Sequence, residues 1–437
     1  MFNNTTSKFL LNIARQFSTT TSKCDNFKCK LLIVGGGSGG CATAAKFSKI
    51  LPKNDLIVLE PSDFHYYQPL FTLVGGGANK IEDARRREED VLPKNCTWIK
   101  DRALEYSPGK NIVLTENGHT INYDYLLVAT GIELRYDKIP GLLEALEKPT
   151  DVCSIYSPKY ASYTFEVLKK LQSGNAIFTF PNTPIKCPGA PQKICYLTDH
   201  YLRTHNRRNN VKLTYNTSLP VIFSAKTYAD ALWIVCKERD INVNLRTNLV
   251  RVNSDVNEAI FENLDKPEEK TTVKFNMLHV TPPMATPESL SKNKQLTNSA
   301  GFVDVNKDTM QHVNFKNVFA IGDCCSTPNP KTAAAAAAQT KVVFENMNAV
   351  MKGDSPRLVY DGYASCPLVT GDKCILAEFD YDFQPLETFP FNQAKEMRSM
   401  YHLKRTLLPA LYWKLMLNGH WNGPAAFRKL MHLGFGK

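Results

Sequence analysis

A glycine-rich turn between a buried strand and a helix most strongly limits what this chain can fold into. Residues 30–34 (KLLIV) form a buried-strand pattern, and Gly35, Gly37 and Gly40 follow it in G-x-G-x-x-G spacing. Gly35 permits a tight turn, Gly37 lets the backbone approach a pyrophosphate, and Gly40 lets the next helix pack on the strand. Free N–H groups at the N-terminus of that helix favour phosphate. The sequence therefore predicts a dinucleotide-binding unit.

An acidic residue at the end of the second strand strengthens that prediction. The apolar residues 56–59 are followed by Glu60, which is placed to accept hydrogen bonds from an adenosine ribose. A fortuitous glycine turn is the alternative. The strand–turn–helix–strand–acid order argues against it.

Two later segments indicate FAD rather than NAD. Residues 123–131 are a strand ending in Ala-Thr-Gly, and residues 317–323 are a strand ending in Gly322 and Asp323. Both segments resemble the Ala-Thr-Gly and Gly-Asp signatures of two-dinucleotide-fold flavoproteins, and this resemblance implies that Asp323 hydrogen-bonds the ribityl chain of a flavin. Lys331 precedes six alanines at 333–338, which predict a helix with little side-chain bulk. The positive end of that helix would stabilise negative charge on a reduced flavin.

The middle of the chain predicts a second nucleotide-type unit without a nucleotide. A clear strand at 176–180 is followed by Pro181-Asn182-Thr183-Pro184 instead of glycines. Proline fixes φ and lacks an N–H, so this turn cannot cradle a pyrophosphate. We expect no NAD(P)H site here. The predicted fold is α/β, with two Rossmann-like, glutathione-reductase-like domains: FAD-binding at 28–150 and 295–350, and the second at 151–294.

The first 24 residues have the composition of a mitochondrial transit peptide. Lys8, Arg15 and Lys23 are basic, no acid precedes Asp25, and serine and threonine are frequent. An ordinary disordered N-terminus is the alternative.

The last part of the chain, 351–437, should carry the second redox cysteine and an amphipathic membrane anchor. Leucines recur at 403, 407, 411 and 415, Trp413 and Trp421 suit a lipid–water boundary, and Pro409 should begin or kink a helix. The positive charges nearby are Lys404, Arg405, Lys414, Arg428 and Lys429. A core-packing or dimer helix pair is the alternative. No run approaches the length of a membrane-spanning helix, and a quinone acceptor would explain the anchor.

The net charge of +11 is not accompanied by a basic run interleaved with aromatic residues, so nucleic acid is not expected as a partner.

Twelve cysteines are dilute and irregularly spaced in a chain of 437 residues, which argues against a disulfide scaffold. No C-x-x-C or H-x-E pattern indicates a metal, and none is expected. His279 is either a catalytic base or a core histidine, and its apolar strand favours the core.

Two cysteines stand in proline-flanked turns, Cys187 and Cys366. Cys187 precedes a predicted helix and follows Lys186, so its thiol should have a lowered pKa. Cys366 is expected in a loop before a strand at 374–377. The sequence does not prove that the two meet. Cys324 and Cys325, directly after Asp323, are rivals for a place near the flavin, whereas three other cysteines are interpreted as packing: Cys41, Cys195 and Cys236.

The chain resembles the mitochondrial-type sulfide:quinone oxidoreductases in nearly everything after the first 24 residues. The segments that carry the resemblance are 35–40 (GGGSGG), 65–69 (HYYQP), 178–184 (FTFPNTP), 189–193 (GAPQK), 280–284 (VTPPM), 322–324 (GDC), 365–371 (SCPLVTG) and 377–381 (AEFDY). Departures from the family pattern are small: Pro188 stands where relatives often have a small residue, and Cys325 adds a second thiol after Gly322 and Asp323.

The resemblance implies an FAD enzyme that oxidises hydrogen sulfide. Cys187 and Cys366 would be the redox pair, joined at rest by a disulfide or a sulfur-bridged form. Sulfide would attack Cys366 and leave a persulfide, while Cys187 would form a charge-transfer complex with the flavin. FAD contacts would include Ser38, Gly39, Glu60, Gln68, Ala103 and Lys331.

The resemblance also implies the enzyme's partners and place. Ubiquinone would take the two electrons, and glutathione, sulfite or cyanide the sulfane sulfur. The enzyme would be monotopic on the mitochondrial inner membrane, on the matrix side. Two other functions remain open: a type II NADH:quinone oxidoreductase, against which the missing glycine loop argues, and a catalytically silent membrane flavoprotein, against which the two cysteines argue.

Overall fold

The computed structural model describes residues 25–434, so the predicted transit peptide at 1–24 lies outside the described residues. The first part of the described chain is built mainly of strands with short helices between them. Its strands are β1 Asn26–Val34, β2 Leu56–Leu59, β3 Phe64–Tyr66, β4 Arg85–Arg87, β5 Thr97–Ile99, β6 Ala103–Ser107, β7 Ile112–Thr115, β8 Thr120–Val128 and β9 Glu133–Leu134. Its helices are α1 Ser38–Phe47, α2 Phe71–Gly75, α3 Glu88–Val91 and α4 Leu142–Glu147.

The middle part alternates strands and longer helices, as its sequence predicts. Its strands are β10 Val152–Cys153, β11 Gly174–Phe180, β12 Val211–Thr217, β13 Ile241–Asn244, β14 Thr247–Asn253, β15 Glu258–Asn263, β16 Lys266–Lys274, β17 Met277–His279 and β18 Met284–Ala285. Its helices are α5 Pro158–Lys170, α6 Ala190–Thr204, α7 Lys226–Glu238 and α8 Glu288–Ser291.

The last part holds one long helix, a hairpin and a broken helical tail. Its strands are β19 Val318–Ala320, β20 Ala364–Val369 and β21 Cys374–Phe379. Its helices are α9 Ala333–Met351, α10 Arg398–His402, α11 Leu408–Leu411 and α12 Ala425–Met431, with π-helical turns at Leu403–Leu407 and Tyr412–Met416.

The first sheet places the glycine turn beside the two later flavin segments. Its order is β5-β2-β1-β8-β7-β6, and β19 pairs with the end of β8. Strands β2, β1, β8 and β19 run parallel, so the turns after β1, β8 and β19 emerge at one edge. Ligands of open parallel sheets bind at the carboxyl ends of strands, and this edge is therefore where the cofactor site is expected. The α/β fold predicted from the sequence is confirmed.

The second sheet is parallel, in the order β10-β17-β11-β12-β13. Buried apolar residues on it form a core that is separate from the core of the first sheet.

Hairpin β20–β21 lies between these two cores. Cys366 pairs with Ala377, and both belong to the core of the second sheet. Leu376, next to Ala377, belongs to the core of the first sheet. Alternate residues of a strand point to opposite faces, so the hairpin presents one face to each core.

The C-terminal tail departs from one expectation: Cys366 lies in strand β20 rather than in a loop. Pro409 is the second residue of α11, in its first turn as predicted, and α11 belongs to a helical run from Arg398 to Met416. The π turns on both sides relieve the missing N–H of proline, because π turns accommodate interruptions of the α-helical bonding pattern. No helix among residues 25–434 is long and apolar enough to cross a membrane.

Candidate active site

The glycine turn forms a cradle at the start of α1. Gly35 has φ +107°, a conformation that L side chains rarely adopt, and a Cβ there would lie 2.4 Å from the carbonyl oxygen of Ala129. A Cβ on Gly40 would lie 1.9 Å from the Gly35 oxygen, so Gly40 allows the helix to pack on the turn. A Cβ on Gly37 would meet nothing within 4 Å, because Gly37 faces open space. Each glycine has the geometry that its position in the motif requires.

Glu60 holds the turn from the end of β2. Its Oε2 accepts a hydrogen bond of 2.7 Å from the Gly36 N–H, and its Oε1 accepts one of 2.8 Å from the Ser62 N–H. These bonds fix the carboxylate beside the cradle, where a ribose would lie.

A single cavity of about 1000 Å³ extends from this cradle across the molecule. It is lined by ten of the predicted cofactor residues: Gly35, Gly37, Ser38, Gly39, Glu60, Gln68, Ala103, Gly322, Asp323 and Lys331. Gly40 does not line it and acts through packing. The volume suits a large, mostly enclosed ligand.

Helix α9 begins at the cavity wall, as the alanine run predicts. Thr332 caps it, since its Oγ1 accepts a hydrogen bond of 3.1 Å from the Ala335 N–H. Ala333, Ala334, Ala336 and Ala337 line the cavity. The small side chains and the positive helix end therefore face the same space.

Charged groups surround Asp323 at this end. Burial raises the pKa of the Asp323 carboxyl, although Lys331 and Lys186 oppose the shift. Burial lowers the pKa of Lys186 to about 8, partly offset by the charge of Asp323. Lys186 thus interacts electrostatically with Asp323, and it is not the cation that controls the neighbouring thiol.

The structure brings Cys187 and Cys366 together. Their Sγ atoms lie 3.9 Å apart, close to each other but not bonded. Cys187 has φ +51°, which is unusual for a residue with a side chain, and it lines the cavity. Cys366 is buried behind it. Strained backbone of this kind costs free energy and often occurs at functional sites.

Lys193 is the cation at the Cys187 thiol. Lys193 lies in the first turns of α6, is 2% exposed, and its Nζ is 3.2 Å from Cys187 Sγ. The hydrogen bond from Cys366, and then the charges of Lys193 and Lys404, hold the pKa of the Cys187 thiol well below its usual value despite burial. The same Sγ–Sγ hydrogen bond, together with burial, raises the pKa of Cys366. Of the two thiols, Cys187 is therefore the one that ionises more readily.

The lowered pKa of Cys187 predicted from the sequence is confirmed, but the neighbouring lysine that contributes to it is Lys193 and not Lys186. Lys193 lies in the first two turns of α6 among buried apolar residues. Because lysine is rarely buried without a partner, its position among apolar residues is the sequence signal that could have identified it.

Two rival interpretations do not hold. Cys324 and Cys325 are fully buried in the core of the first sheet and do not line the cavity. His279 is also fully buried: its Nε2 accepts a hydrogen bond from the Ile155 N–H, its ring stacks on Phe178, and burial lowers its pKa to about 3. His279 is a core histidine.

The helical tail docks onto the cofactor end of the cavity. Tyr412 is buried, and its hydroxyl lies 2.6 Å from His65 Nε2 and 2.7 Å from Ser38 Oγ. Trp413 is 8% exposed, with Arg86 stacked on its ring, so its predicted place at a lipid boundary is wrong.

Two of the basic residues assigned to the anchor also point inward. Lys404 is 2% exposed and donates a hydrogen bond of 2.9 Å to the Pro69 carbonyl. Arg428 is 4% exposed and pairs with Asp361. These two residues therefore pack against the rest of the protein and do not face lipid, although the sequence had suggested that they would.

Cys41, His65 and Glu88 form a buried polar cluster that no sequence motif indicated. Cys41 Sγ is 3.4 Å from Glu88 Oε1, and His65 Nδ1 is 3.4 Å from Glu88 Oε2. The Cys41 sulfur, a ring nitrogen of His65 and a carboxylate oxygen of Glu88 all lie within 4.8 Å of one another. Cys41 thus hydrogen-bonds as well as packs, because a buried carboxylate requires partners.

Comparison with known proteins agrees with this geometry. The family model of the pyridine nucleotide-disulphide oxidoreductases matches residues 29–174 and 201–340. The mouse protein "Sulfide:quinone oxidoreductase, mitochondrial" is 48% identical over 93% of this chain and 90% of its own. The Dictyostelium discoideum protein of the same name is 46% identical over 90% and 87%. The chain belongs to the mitochondrial sulfide:quinone oxidoreductase family. The protein is thus an oxidoreductase with a Rossmann-type fold.

The fold is shared with a bacterial member of the sulfide:quinone oxidoreductases. The crystal structure of the Aquifex aeolicus sulfide:quinone oxidoreductase superposes with a TM-score of 0.76 at 21% identity, covering 93% of this chain and 95% of that one. At that identity the likeness shows the fold alone.

FAD is the cofactor of this sulfide:quinone oxidoreductase family member, and the cavity fits it. The open face of Gly37 leaves room for a pyrophosphate at the α1 N-terminus, Glu60 would hold the ribose, and Asp323 with the α9 N-terminus would face the ring. Ser38, Gln68, Ala103 and Lys331 also line the cavity.

Proposed function

We propose that this protein oxidises hydrogen sulfide and passes two electrons through FAD to ubiquinone. The observation that carries the proposal is the Cys187–Cys366 pair, 3.9 Å apart, beside a cavity that also holds the cofactor cradle. Relatives that are 38–48% identical over most of the chain are named for this reaction.

The reaction begins from a disulfide between the two cysteines, which forms when their sulfurs close to a bonding distance of about 2.05 Å. Hydrosulfide attacks Cys366 Sγ, a new S–S bond forms there, and the Cys366–Cys187 bond breaks. Cys366 becomes a persulfide and Cys187 leaves as a thiolate, so charge and atoms balance. A low-pKa leaving thiol favours this exchange.

Lys193 stabilises the leaving thiolate. Its ammonium already lies 3.2 Å from Cys187 Sγ in a site that excludes most water, where a charge pair is stronger than in bulk solvent. Lys404 adds a second positive charge nearby.

The sulfane sulfur then leaves Cys366 for an external nucleophile: glutathione, sulfite or cyanide. The nucleophile attacks the outer sulfur and frees the Cys366 thiolate. The two cysteines then return to the disulfide, and bound FAD would supply the two-electron acceptor for that oxidation and the two-electron donor for the quinone.

The quinone would enter along the apolar wall of the cavity. Residues of the helical tail and of the segment before it line that wall: Phe389, Leu403, Leu407, Leu408, Leu411, Leu415 and Phe427. Exposed leucines nearby, Leu430 at 70% and Leu433 at 82%, together with Lys414 and Lys429, support a monotopic contact with the matrix face of the mitochondrial inner membrane.

The second sheet would serve the fold and not a nicotinamide nucleotide. Strand β11 ends at Phe180, and Pro181 follows where a glycine loop would begin. Electrons would therefore come from sulfide and not from NAD(P)H, and the domain limits 28–150 with 295–350, 151–294 and 351–437 remain those proposed from the sequence.

An anaerobic titration tests the proposal. Sulfide should bleach the flavin of the purified holoenzyme, and added ubiquinone should restore the absorbance. The C187S variant should lose both, whereas C96S, which changes a buried cysteine of the first core, should behave as the wild type. Bleaching by NADH but not by sulfide would reject the proposal in favour of an NADH:quinone oxidoreductase.

A further inference from the structure

A buried carboxylate lies on the wall of the cavity and has no role in the sulfur chemistry. Glu378 is in β21, is 4% exposed and lines the cavity. Its oxygens accept hydrogen bonds from the Tyr363 hydroxyl, the Thr388 hydroxyl (2.9 Å), the Thr388 N–H (2.7 Å) and the Gln393 amide (2.8 Å). All four donors are neutral groups. Burying a carboxylate is costly, which calls for an explanation of its position.

Hairpin β20–β21 separates Glu378 from the reacting cysteine. Glu378 pairs with Ser365, next to the Cys366–Ala377 pair, so its side chain projects from the opposite face of the hairpin. The face with Glu378 lines the cavity through Ser365, Pro367 and Leu376. The face with Cys366 packs into the core of the second sheet.

The cavity near Glu378 is apolar and continuous with the helical tail. Thr388 and Phe389, directly beyond the carboxylate, line it, as do Leu407, Leu411 and Phe427. A hydrophobic ring with polar oxygens fits such a space, because the apolar wall binds the ring and a few polar groups fix its orientation.

Three other titratable groups on this side are engaged away from the apolar wall. Lys404 donates to the Pro69 carbonyl, and Tyr412 is engaged with His65 and Ser38. Lys193 is bound to Cys187. Glu378 is an acid that lines the cavity beside the apolar wall, so it is placed to serve an occupant of that wall.

We propose that Glu378 is a catalytic residue that protonates the quinone during its reduction. A quinone takes up two electrons and two protons to become a quinol. Glu378 relays one proton: the carboxylate first takes a proton from solvent, its new O–H bond then breaks as an O–H bond forms on a quinone oxygen, and the carboxylate is restored. The electron pair and the other proton come from the reduced cofactor. This inference rests on the proposed function and adds the proton donor to it.

The two half-reactions test this role separately in a stopped-flow instrument without oxygen. Holoenzyme reduced by sulfide is mixed either with a short-chain ubiquinone or with ferricyanide, which accepts electrons without taking a proton. In E378Q, sulfide should bleach the flavin at the wild-type rate, and ferricyanide should reoxidise it at the wild-type rate. Reoxidation by the quinone should fall about a hundredfold, the usual effect of losing a general acid.

Two controls separate catalysis from structure. Equilibrium binding of the short-chain ubiquinone to oxidised E378Q should match the wild type, which shows that the apolar wall is intact. The E387Q variant removes a neighbouring carboxylate that binds Tyr228 and does not line the cavity, and it should leave all rates unchanged. Acetate should restore part of the quinone rate in E378A, because a small acid can occupy the vacated space.

The outcomes are distinct. Equal quinone reoxidation in E378Q and wild type would overturn the role of Glu378 and leave the proposed function standing. Loss of ferricyanide and quinone reoxidation together would make Glu378 a structural residue and also overturn the role. A wild-type flavin that sulfide does not bleach would reject the proposed function, and this inference with it. If E378Q does not fold, E378D should give an intermediate quinone rate.

Discussion

Lys193 Nζ lies 3.2 Å from Cys187 Sγ, and this contact connects helix α6 to the reactive thiol. Cys187 lies just before α6, and Lys193 lies within its first two turns. The burial of Lys193 and the thiolate on Cys187 explain each other, because each charge compensates the other in a site with little water. In agreement, the charge on Cys187 raises the pKa of Lys193 although burial lowers it.

Replacing Lys193 should therefore shift the pH dependence of sulfide oxidation. In K193M the Cys187 thiol loses a stabilising charge, so its pKa rises and the thiolate forms only at higher pH. A thiolate is lost as pH falls, so the rate of flavin bleaching by sulfide should drop about tenfold or more at pH 7 and recover toward alkaline pH. Stopped-flow bleaching rates across pH measure the shift.

A second lysine variant is the matched control for this pH experiment. K186M removes the cation that directly precedes Cys187 in sequence but whose charge interacts with Asp323. Its bleaching profile should keep the wild-type midpoint. If K186M moves the profile and K193M does not, Lys186 controls the thiol after all.

The packing of the glycine turn predicts a sharp contrast between two glycine variants. In G40A the new Cβ would lie 1.9 Å from the Gly35 oxygen, so the turn must open and the cofactor cradle is lost. We expect purified G40A to carry less than about a tenth of the wild-type flavin per chain, by absorbance. G109A adds a methyl where nothing lies within 4 Å, and it should retain full flavin. Equal flavin content in the two variants would contradict the assignment of the cradle.

The exposed leucines of the tail predict how the protein binds membranes. The L407S/L430S/L433S variant removes side chains that are 57%, 70% and 82% exposed. At about 1 kcal/mol lost for each leucine, the affinity for vesicles containing anionic lipid should fall about a hundredfold. Flotation with vesicles measures it.

Exposed apolar residues elsewhere provide the control for membrane binding. The I234S/V256S/V359S variant removes side chains that are 58%, 51% and 60% exposed and lie outside the tail. It should float as the wild type does. Equal losses in the two triple variants would mean that general surface hydrophobicity, and not the tail, holds the membrane.

Local patterns in the sequence predicted the cofactor side of the molecule well. The spacing of Gly35, Gly37 and Gly40 directly encodes a turn and a helix start, and Glu60 follows the next strand. The alanines after Lys331 form α9 because six good helix formers follow a threonine cap. Such features depend on neighbours in the chain, and short-range patterns describe them.

Contacts between distant segments were not predictable in the same way. Tyr412 reaches Ser38 and His65 across most of the chain, and a periodic apolar stripe does not distinguish a face that docks on protein from one that docks on lipid. For the same reason Lys404 was assigned to the membrane although it is buried against Pro69. The 3.9 Å between Cys187 and Cys366 likewise depends on two sheets packing around one hairpin.

Hairpin β20–β21 also restricts how this chain can change in length. Because alternate residues face opposite cores, the pairing of Cys366 with Ala377 and of Ser365 with Glu378 decides which side chain meets the apolar wall. A single inserted or deleted residue within either strand would turn one of these side chains to the opposite face. Glu378 would then point toward the core that holds Cys366, or Cys366 would point toward the apolar wall. Insertions and deletions in related chains should therefore be confined to the connecting turn at residues 370–373, or should occur in pairs.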